Sequence, residues 1–441
     1  MKINYKVQGA VWILLFTLLV LIPLIILFLG PTATGKPALV TLSTSLGFIG
    51  LAIVALQFAL TARIKPLSKP FGTDLVYYFH RQISIAGFLM IFAHPILLFL
   101  SSSAYIGYLN IFRMPWQYKA GVLGIILFII VVLTAEYRNQ LKIPYWFWKF
   151  WHGIFATLAI SFALIHIFLN GNFVNSPIKQ IVWIIYAILW IGILIYTRIL
   201  YPLHLINNPY KVVEVKSERG ACHTLVLQPM KKGLIFHPGQ FAWITVCKTP
   251  FSDSEHPFSI ASSAEHPELI EMTIKQLGKF TLSVKDIKVD QPVYVDGPYG
   301  SFTSDRYPNA KGFIFIAGGI GITPMMSVLR TMADRGDKRP LMLLYANRDW
   351  ETATFREEIE ELKKRLNLEL IYVLEEAPLN LYVENGFVTN AILNKYFTGQ
   401  WKALDPEVFL CGPNPMMNAV EPLIKGIGVP EVKIHSEKFA L

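Results

Sequence analysis

The chain has 441 residues, of which 53% are hydrophobic and 16% are charged. Long apolar runs fill the first half, whereas the second half has the mixed composition of globular domains. The net charge of +10 does not indicate nucleic-acid binding, because no nucleic-acid motif is present and many cations flank apolar runs, where they set membrane topology. The three cysteines form no CxxC pair, which argues against disulfides and an iron-sulfur cluster.

Six apolar runs of about 20 residues are long enough to cross the roughly 30 Å hydrocarbon core of a bilayer. A signal peptide is the alternative for the first run, but that run is longer than the usual apolar core of such signals. The sequence therefore predicts an all-α, six-helix transmembrane domain over residues 1–206, with spans at about 9–29, 39–61, 75–101, 119–137, 147–169 and 178–203.

The distribution of lysine and arginine predicts the orientation, because short cytoplasmic loops retain these residues. Cations are more numerous on the face that holds both ends of the membrane domain. They are fewer on the opposite face, where they are Lys36, Arg113, Lys119 and Lys179. Six crossings return the chain to its starting side, so the globular half is expected in the cytoplasm, at the plasma membrane of a bacterium.

Four of the ten histidines lie within predicted spans, His80 and His94 on the third and His152 and His166 on the fifth. The members of each pair are fourteen residues apart, which places them on one helix face at a separation of about 21 Å. Because the third and fifth helices run in the same direction, His80 shares a depth with His152, and His94 with His166. Two ligands at each depth suit haem iron with both axial positions filled.

Three alternatives account for these histidines less well than haem binding does: helix packing, proton transfer and zinc binding. A single intramembrane histidine often serves helix packing, but polar groups in hydrocarbon are costly and tend to mark a functional path. A proton relay would need acidic groups or water, and the intervening residues are apolar apart from Ser84, Thr157 and Ser161. Zinc usually takes three or four protein ligands, whereas each depth supplies two. The predicted role is electron transfer, with Arg81 and Arg198 as candidate partners of haem propionates or as topology anchors.

Short strand-like runs separated by Gly and Pro predict an antiparallel β-barrel over residues 207–306. It contains HPFSI, in which Phe258 can lie against a flavin ring and Ser259 can hydrogen-bond the polar edge of that ring. Backbone amides near Gly278, together with Lys275 and Thr281, can hold a pyrophosphate. An aromatic and a hydroxyl residue at a strand end also occur in barrels that bind no flavin.

The stretch FIFIAGGIGITPMMSVL predicts a buried strand, a glycine turn and a helix within an α/β domain over residues 307–441. Its pattern Gly319-x-Gly321-x-x-Pro324 lacks the third glycine of the dinucleotide fingerprint. The placement between strand and helix nevertheless lets backbone amides meet a phosphate. A turn that only serves packing is the alternative.

Two further strand ends point to nucleotide binding. The strand LMLLYA leads to Asn347 and Arg348, and Arg348 can pair with the 2′-phosphate of NADPH, although the neighbouring Asp349 leaves NADH open. The strand EVFLCGP places Cys411 at a carboxyl-terminal strand edge, where ligands bind in open α/β sheets, or where the thiol simply fills space.

The paired histidines, HPFSI, GGIGITP and CGP resemble, in order and spacing, the NADPH oxidase and ferric reductase superfamily over nearly the whole chain. The resemblance implies two b haems, one held by His80 with His152 and one by His94 with His166. It implies FAD at His256, Pro257, Phe258, Ser259, Thr273, Lys275, Gly278 and Thr281. It implies NADPH at Gly318, Gly319, Gly321, Thr323, Pro324, Asn347, Arg348, Cys411, Gly412 and Pro413, with Phe439 as the terminal aromatic that covers the flavin.

The implied activity is that of a flavocytochrome b that takes electrons from NADPH through FAD and two haems to an acceptor outside. The favoured acceptor is O2, which gives superoxide, and a ferric chelate or a protein partner are the alternatives. Leu98, one turn after His94, departs from the polar residue of the superoxide-producing oxidases. No EF-hand loop or Pro-rich tail indicates a regulatory partner. A nucleotide-gated transporter would need more helix interruptions than Pro23 and Pro95.

Overall fold

The computed structural model describes residues 5–28, 37–110, 112, 114–171, 173–247, 249–251 and 254–438. The chain forms two compact units, Met1–Pro202 and Leu203–Leu441. The first unit is helical, and the second contains two six-stranded sheets with helices. The predictions for Lys36, Arg113 and Phe439 concern positions outside the described residues.

Six helices in the described part of the chain are long and apolar enough to cross a membrane, in agreement with the six predicted spans. Their outward faces carry exposed Leu, Ile, Val and Phe side chains, as lipid-facing surfaces do. The last span continues beyond α7 through a π-helical turn, Tyr196–Leu200, and α8, Tyr201–Asn207, while a short α3, Lys65–Phe71, precedes the third span. The long helices are α1 Tyr5–Phe28, α2 Ala38–Thr61, α4 Thr73–Ser101, α5 Trp116–Glu136, α6 Tyr145–Asn170 and α7 Pro177–Ile195.

Proline and glycine set several helix ends. Pro37, Pro115 and Pro144 immediately precede α2, α5 and α6, and proline is the first residue of α7. Proline suits a helix start because it lacks an N–H that would have no partner there. Gly171 ends α6 in the left-handed conformation, with φ of 62°, which glycine adopts without strain.

Helices α2 and α4 pack most closely at two glycines. A Cβ on Gly50 would lie 2.7 Å from the carbonyl oxygen of Gly87 and 2.8 Å from Cγ1 of Ile91. A Cβ on Gly87 would lie 2.8 Å from Cγ2 of Ile53. Helices in a bilayer associate through such small residues, because lipid supplies no hydrophobic drive for the contact. The close packing holds the histidine-bearing helix α4 against α2.

The first sheet of the second unit is antiparallel, with strand order β4-β3-β6-β1-β2-β5. Beyond β4, the amide of Ala261 donates to the carbonyl of Glu271 on β5 at 2.7 Å, so the two edge strands approach each other as in the predicted barrel. A short helix, α9 Lys279–Ser283, follows β5. The strands are β1 Tyr210–Glu218, β2 Cys222–Pro229, β3 Phe241–Val246, β4 Glu255–Ser259, β5 Ile270–Lys275 and β6 Pro292–Tyr299.

The second sheet is parallel, with order β10-β9-β8-β7-β11-β12, and helices pack on it as in a Rossmann-like fold. Its central strand β7 is buried throughout, because parallel sheets are covered on both faces. The strands are β7 Phe313–Gly318, β8 Leu341–Asp349, β9 Leu368–Glu376, β10 Glu384–Asn385, β11 Glu407–Gly412 and β12 Ile434–Lys438. The helices are α10 Ile322–Asp334, α11 Arg356–Arg365, α12 Asn390–Tyr396, α13 Gln400–Leu404 and α14 Asn414–Gly426.

Arg330 on α10 links the two sheets. Its guanidinium donates to Glu271 on β5 at 2.8 Å, to Glu358 on α11 at 2.6 Å and to the carbonyl of Ala261 at 2.9 Å. Burial by itself would raise the pKa of Glu271, but Arg330 and Lys216 outweigh it and hold that pKa below its usual value. Because a buried arginine that loses its carboxylates is costly, this cluster fixes the relative position of the two sheets.

Replacing Gly50 with Leu should disrupt the α2–α4 contact, since its side chain would overlap the backbone of Gly87. Overpacking of this kind typically costs about 1–3 kcal/mol. The matched control is Gly192→Leu, because nothing lies within 4 Å of a Cβ at that exposed helical position. Size-exclusion chromatography of detergent-extracted protein should show a smaller monodisperse peak for Gly50→Leu only. Equal profiles for the two variants would contradict the expectation.

Candidate functional site

The structure brings together His94 of α4 and His166 of α6. Their ring centres are 6.3 Å apart and the ring planes are inclined at 66°. Two metal–imidazole bonds of about 2 Å each, as in zinc sites, place two ring centres roughly 6 Å apart across one ion. The two rings therefore have the spacing of ligands that share a metal ion.

Backbone carbonyls orient both rings. Nδ1 of His166 lies 2.6 Å from the carbonyl oxygen of Gln117, and Nδ1 of His94 lies 3.0 Å from that of Ser43. A carbonyl only accepts hydrogen bonds, so each Nδ1 carries the hydrogen and Nε2 is left to bind a metal. The hydroxyl of Ser43 lies 2.8 Å from Nδ1 of His94 and donates to the carbonyl of His94 at 2.7 Å.

Two glycines let the rings reach these carbonyls. Gly47 and Gly121 stand one helical turn after the two accepting residues. A Cβ on Gly47 would lie 3.4 Å from the ring of His94, and one on Gly121 would lie 3.0 Å from Nδ1 of His166. Because neither position has a side chain, a ring can approach a carbonyl that is already part of a helix.

His94 and His166 line a cavity of about 160 Å³ between α2, α4, α5 and α6. Leu98 also lines it, and most of the lining is apolar. Polar side chains enter the lining from Thr44, Tyr105, Tyr118 and Asn170. The two imidazoles and the mainly apolar lining suit a b haem, which would also extend beyond this cavity because ligand pockets usually measure about 300–1,000 Å³.

The second histidine pair is held differently. His80 and His152 are close enough for their rings to interact electrostatically. Nδ1 of His80 lies 3.1 Å from Oε1 of Gln57, which leaves its Nε2 for a metal. Nδ1 of His152 is buried and has no hydrogen-bond partner among the described residues. Each pair consists of two histidines, and the described residues contain no cluster of three or more His, Cys, Asp or Glu side chains that could hold a metal ion.

The two arginines that were candidates for haem propionates have different surroundings. Arg81 pairs with Glu136 of α5 at 2.8 Å, and both side chains are largely exposed. The guanidinium of Arg198 lies over Gly153, since a Cβ there would be 3.0 Å from Nη2. Arg198 therefore contacts α6 at Gly153, the residue after His152 in the chain, and Arg81 pairs with Glu136.

The HPFSI residues form β4 and combine aromatic faces with an unpaired hydroxyl. Ser259 is buried, and its Oγ has no hydrogen-bond partner in the described part of the chain. Phe280 of α9 stacks on His256 with ring centres 4.0 Å apart and lies 6.0 Å from Phe258. Pro257 between them is half-buried. These groups fit the ring of a flavin, which needs a hydrogen-bond partner at its polar edge.

The residues predicted to hold the pyrophosphate are mostly engaged with one another. The hydroxyl of Thr281 accepts hydrogen bonds from the amides of Leu277 and Gly278, both at 2.8 Å. Thr273 is buried, and its hydroxyl lies 2.7 Å from that of Thr224 on β2, so it joins two strands. Lys275, half-buried at the end of β5, is the cation of this set.

The glycines after β7 have two separate roles. A Cβ on Gly318 would lie 2.3 Å from Sδ of Met416, and one on Gly321 would lie 2.3 Å from the carbonyl oxygen of Cys411. Packing alone therefore requires Gly321, whereas a side chain at Gly318 would displace Met416. Gly319 is left-handed, with φ of 52°, and nothing lies within 4 Å of a Cβ there. Its backbone is the part of the turn that a phosphate can approach.

The predicted nucleotide residues meet at one edge of the parallel sheet, because β8, β7 and β11 are neighbours. Thr323 and Pro324 are buried at the start of α10, and Cys411 is fully buried with Gly412 before the exposed Pro413. The buried Nδ2 of Asn347 has no hydrogen-bond partner among the residues described.

Arg348 is the exposed cation of this edge. Its Nε donates to Oε1 of Glu376 at the end of β9, at 3.0 Å, and both side chains are largely exposed. The carboxylate of the neighbouring Asp349 accepts from the amide of Thr352 at 2.8 Å. Arg348 can therefore turn from Glu376 to a 2′-phosphate, while Asp349 is held by its own loop.

Sequence patterns did not identify the groups that hold the histidines. A signal for two of them was nevertheless present, because Ser43 and Gln57 on α2 are also fourteen residues apart. Since α2 and α4 are antiparallel, this spacing matches that of His94 and His80. The partner of His166 is a backbone carbonyl, and only the glycine one turn later could have suggested it.

Three family descriptions match the chain in succession. Residues 46–163 match the ferric reductase like transmembrane component, residues 208–303 match a FAD-binding domain, and residues 315–422 match an oxidoreductase NAD-binding domain. The predicted fold class is thereby confirmed: six transmembrane helices, an antiparallel FAD domain and a parallel, Rossmann-like NAD-binding domain. The chain is an oxidoreductase that combines these three parts.

Curated relatives match about half of the chain. The reductase component of propane 2-monooxygenase from Rhodococcus jostii is 31% identical over 49% of this chain and 59% of its own length. The corresponding protein of Mycolicibacterium smegmatis is 30% identical over 54% of this chain and 68% of its own length. The chain thus spans less than two thirds of the first relative. The crystal structure of an Amycolatopsis cytochrome P450 reductase is 22% identical, covers 53% of this chain and 69% of that chain, and has a TM-score of 0.46.

Replacing Ser259 with Ala should weaken FAD binding about fivefold, the effect of losing one hydrogen bond worth about 1 kcal/mol. The measurement is a titration of flavin-depleted, full-length protein with FAD, followed by flavin fluorescence. Ser217→Ala, an exposed serine on β1, is the control. Equal FAD affinities for the two variants would argue against contact between Ser259 and the flavin.

Proposed function

Since this chain belongs to the NADPH oxidase/ferric reductase superfamily, by the order of its three domains, we propose that it passes electrons from cytoplasmic NADPH across a membrane. The proposed acceptor is O2 on the far side, which yields superoxide. A ferric chelate and a protein partner are the alternative acceptors for the same path. The relatives, which are named as reductase components, support the reductase part of this path.

The observation that carries the proposal is the pair His94 and His166, with ring centres 6.3 Å apart beside a mainly apolar cavity. Intramembrane polar groups are costly and are retained where they have a function. Two imidazole rings with the spacing of ligands to one metal ion suit electron transfer through the membrane. We propose that these residues hold one b haem and that His80 with His152 holds the second.

When bound, FAD accepts a hydride from nicotinamide and releases electrons singly, and each haem carries one electron at a time. Ser259 and the aromatic faces of β4 would hold the flavin ring. The open backbone at Gly319 and the start of α10 would meet the phosphates of NADPH, and Arg348 its 2′-phosphate. Two histidines would hold each haem iron, so a haem would supply electron transfer there and not a binding site for O2.

O2 is small and uncharged and can reach a site within an apolar membrane domain, whereas ferric citrate is an anion that needs cationic groups. The excess of cations at the ends of the membrane domain supports a cytoplasmic location of the FAD and NADPH domains, at a bacterial plasma membrane.

The acceptor is tested by reducing purified protein with NADPH without oxygen and mixing it separately with O2 and with ferric citrate. Haem reoxidation, followed by absorption in a stopped-flow instrument, should be faster with O2, and superoxide should form. Faster reoxidation by ferric citrate would identify the protein as a ferric-chelate reductase instead.

Replacing His94 or His166 with Ala should remove one haem per chain, because one axial ligand is lost. Flavin reduction by NADPH should persist, while reduction of the outside acceptor should stop. Replacing His80 or His152 should remove the other haem and stop all flow beyond the flavin. Haem content is measured by absorption, with the exposed His266 replaced by Ala as control. Full haem content in all four variants would contradict the ligand assignment.

Replacing Arg348 with Gln should raise the KM for NADPH about tenfold or more, since a charge-assisted hydrogen bond is worth about 1.5–3 kcal/mol. The KM for NADH, which has no 2′-phosphate, should change little. Arg365→Gln removes another exposed arginine of the same domain and serves as the control. The measurement is steady-state oxidation of each nucleotide, and an equal loss for both nucleotides would exclude this role of Arg348.

A further inference from the structure

The outer pair, His94 and His166, and the inner pair, His80 and His152, differ in their hydrogen bonds. Nδ1 of His94 and Nδ1 of His166 each meet a backbone carbonyl, at 3.0 Å and 2.6 Å. In the inner pair, Nδ1 of His80 meets the side-chain oxygen of Gln57 at 3.1 Å. Nδ1 of His152 has no partner among the residues that the structure describes. The outer pair therefore has two strong acceptors and the inner pair has one weaker acceptor.

The helix sequences explain the difference on the α2 side. In the outer layer, Gly47 exposes the carbonyl one turn before it. In the inner layer, the residue one turn after Gln57 is Thr61, whose side chain covers the carbonyl of Gln57. A glutamine side chain that extends from the helix therefore replaces the carbonyl as the partner of His80.

On the α5 side of the inner pair, His152 has neither a backbone carbonyl nor a side chain as a described partner for its Nδ1. Gln117 accepts from His166 in the outer layer because Gly121 follows it by one turn. Fourteen residues further along α5, at the spacing of the histidines, stands Val131, and one turn beyond it stands Ala135. Neither residue has a polar side chain, and the nearby hydroxyl of Thr134 donates to the carbonyl of Ile130 at 2.7 Å. This sequence agrees with the lack of a partner for Nδ1 of His152 among the described residues.

Gln57 can present only its oxygen to His80. The side chain is buried, with 4% of its surface exposed, and its Nε2 donates to the carbonyl of Ile53 at 2.9 Å. This bond fixes the orientation of the amide and turns Oε1 toward the ring. Nδ1 of His80 must then carry the hydrogen, and Nε2 must face the metal site.

We propose that Gln57 is the positioning residue of the inner site and that the unequal hydrogen bonding makes the inner site easier to reduce than the outer site. The inference rests on the proposed function, because it concerns residues that would hold haem. A histidine ligand whose Nδ1–H has a strong acceptor is more basic and stabilises the oxidised metal. The outer site, with both ligands so held, has the lower midpoint potential, and electrons collect first at the inner site.

The test measures haem content and midpoint potentials of full-length protein in lipid nanodiscs by spectroelectrochemistry. The wild type should contain two haems and show two separate steps. Gln57→Glu should lower the upper step, because a carboxylate is a stronger acceptor, and Gln57→Leu should raise it. A tenfold change in the balance of oxidised and reduced iron, about 59 mV for one electron, is the expected size. His94→Ala, which leaves one haem, assigns the upper step to the inner site.

Gln8→Leu is the matched control, because Gln8 is a glutamine of another membrane helix whose side chain donates to the carbonyl of Pro66. Both of its steps should stay at their wild-type potentials. Two haems with potentials that Gln57→Glu and Gln57→Leu leave unmoved would overturn this inference alone. A lower step that moves instead of the upper one would also overturn it. A wild-type protein that binds no haem would overturn the proposed function and this inference with it.

Discussion

The arrangement of the membrane unit depends on how buried imidazole N–H groups find acceptors where water is scarce. An unsatisfied polar group in hydrocarbon costs several kcal/mol, so each histidine needs a protein partner or a bound group. His94, His166 and His80 obtain acceptors on neighbouring helices. These bonds orient the rings, select the hydrogen-bearing nitrogen and leave the opposite nitrogen for a metal. Ligand chemistry and helix packing are thus set by the same contacts.

Glycines at particular positions of the helices allow these hydrogen bonds and helix contacts to form. Gly50 and Gly87 let α2 and α4 approach closely, while Gly47 and Gly121 open carbonyls that helices normally shield. A side chain at either kind of position would push a ring or a helix away from its partner. The outer layer uses open carbonyls, and the inner layer uses the side chain of Gln57. The two layers therefore differ in chemistry although their histidines have equal spacing.

In the second unit, the glycines after β7 also have packing roles. Gly321 is required by packing against β11, and Gly318 leaves room for Met416 of α14, so the motif after β7 is partly structural. Gly319 alone combines a left-handed backbone with open space. Arg330, which joins the two sheets, keeps the FAD and nucleotide sites in a constant relation. Hydride transfer requires such a relation, because the reacting atoms must lie about 3–3.5 Å apart.

The sequence by itself determined the six spans, the two sheets and the helices that carry the four histidines, because hydrophobic periodicity and helix geometry are local properties. It also placed HPFSI and the glycine turn at strand ends. Only the tertiary structure decided that Thr273 joins two strands, that Arg198 lies over Gly153, and that Gln57 holds His80. These facts depend on which residues of distant segments face each other. The partner of His166 is the backbone carbonyl of Gln117, and every residue type has such a carbonyl. The side chain at position 117 therefore could not predict this contact, and only the packing of the helices shows it.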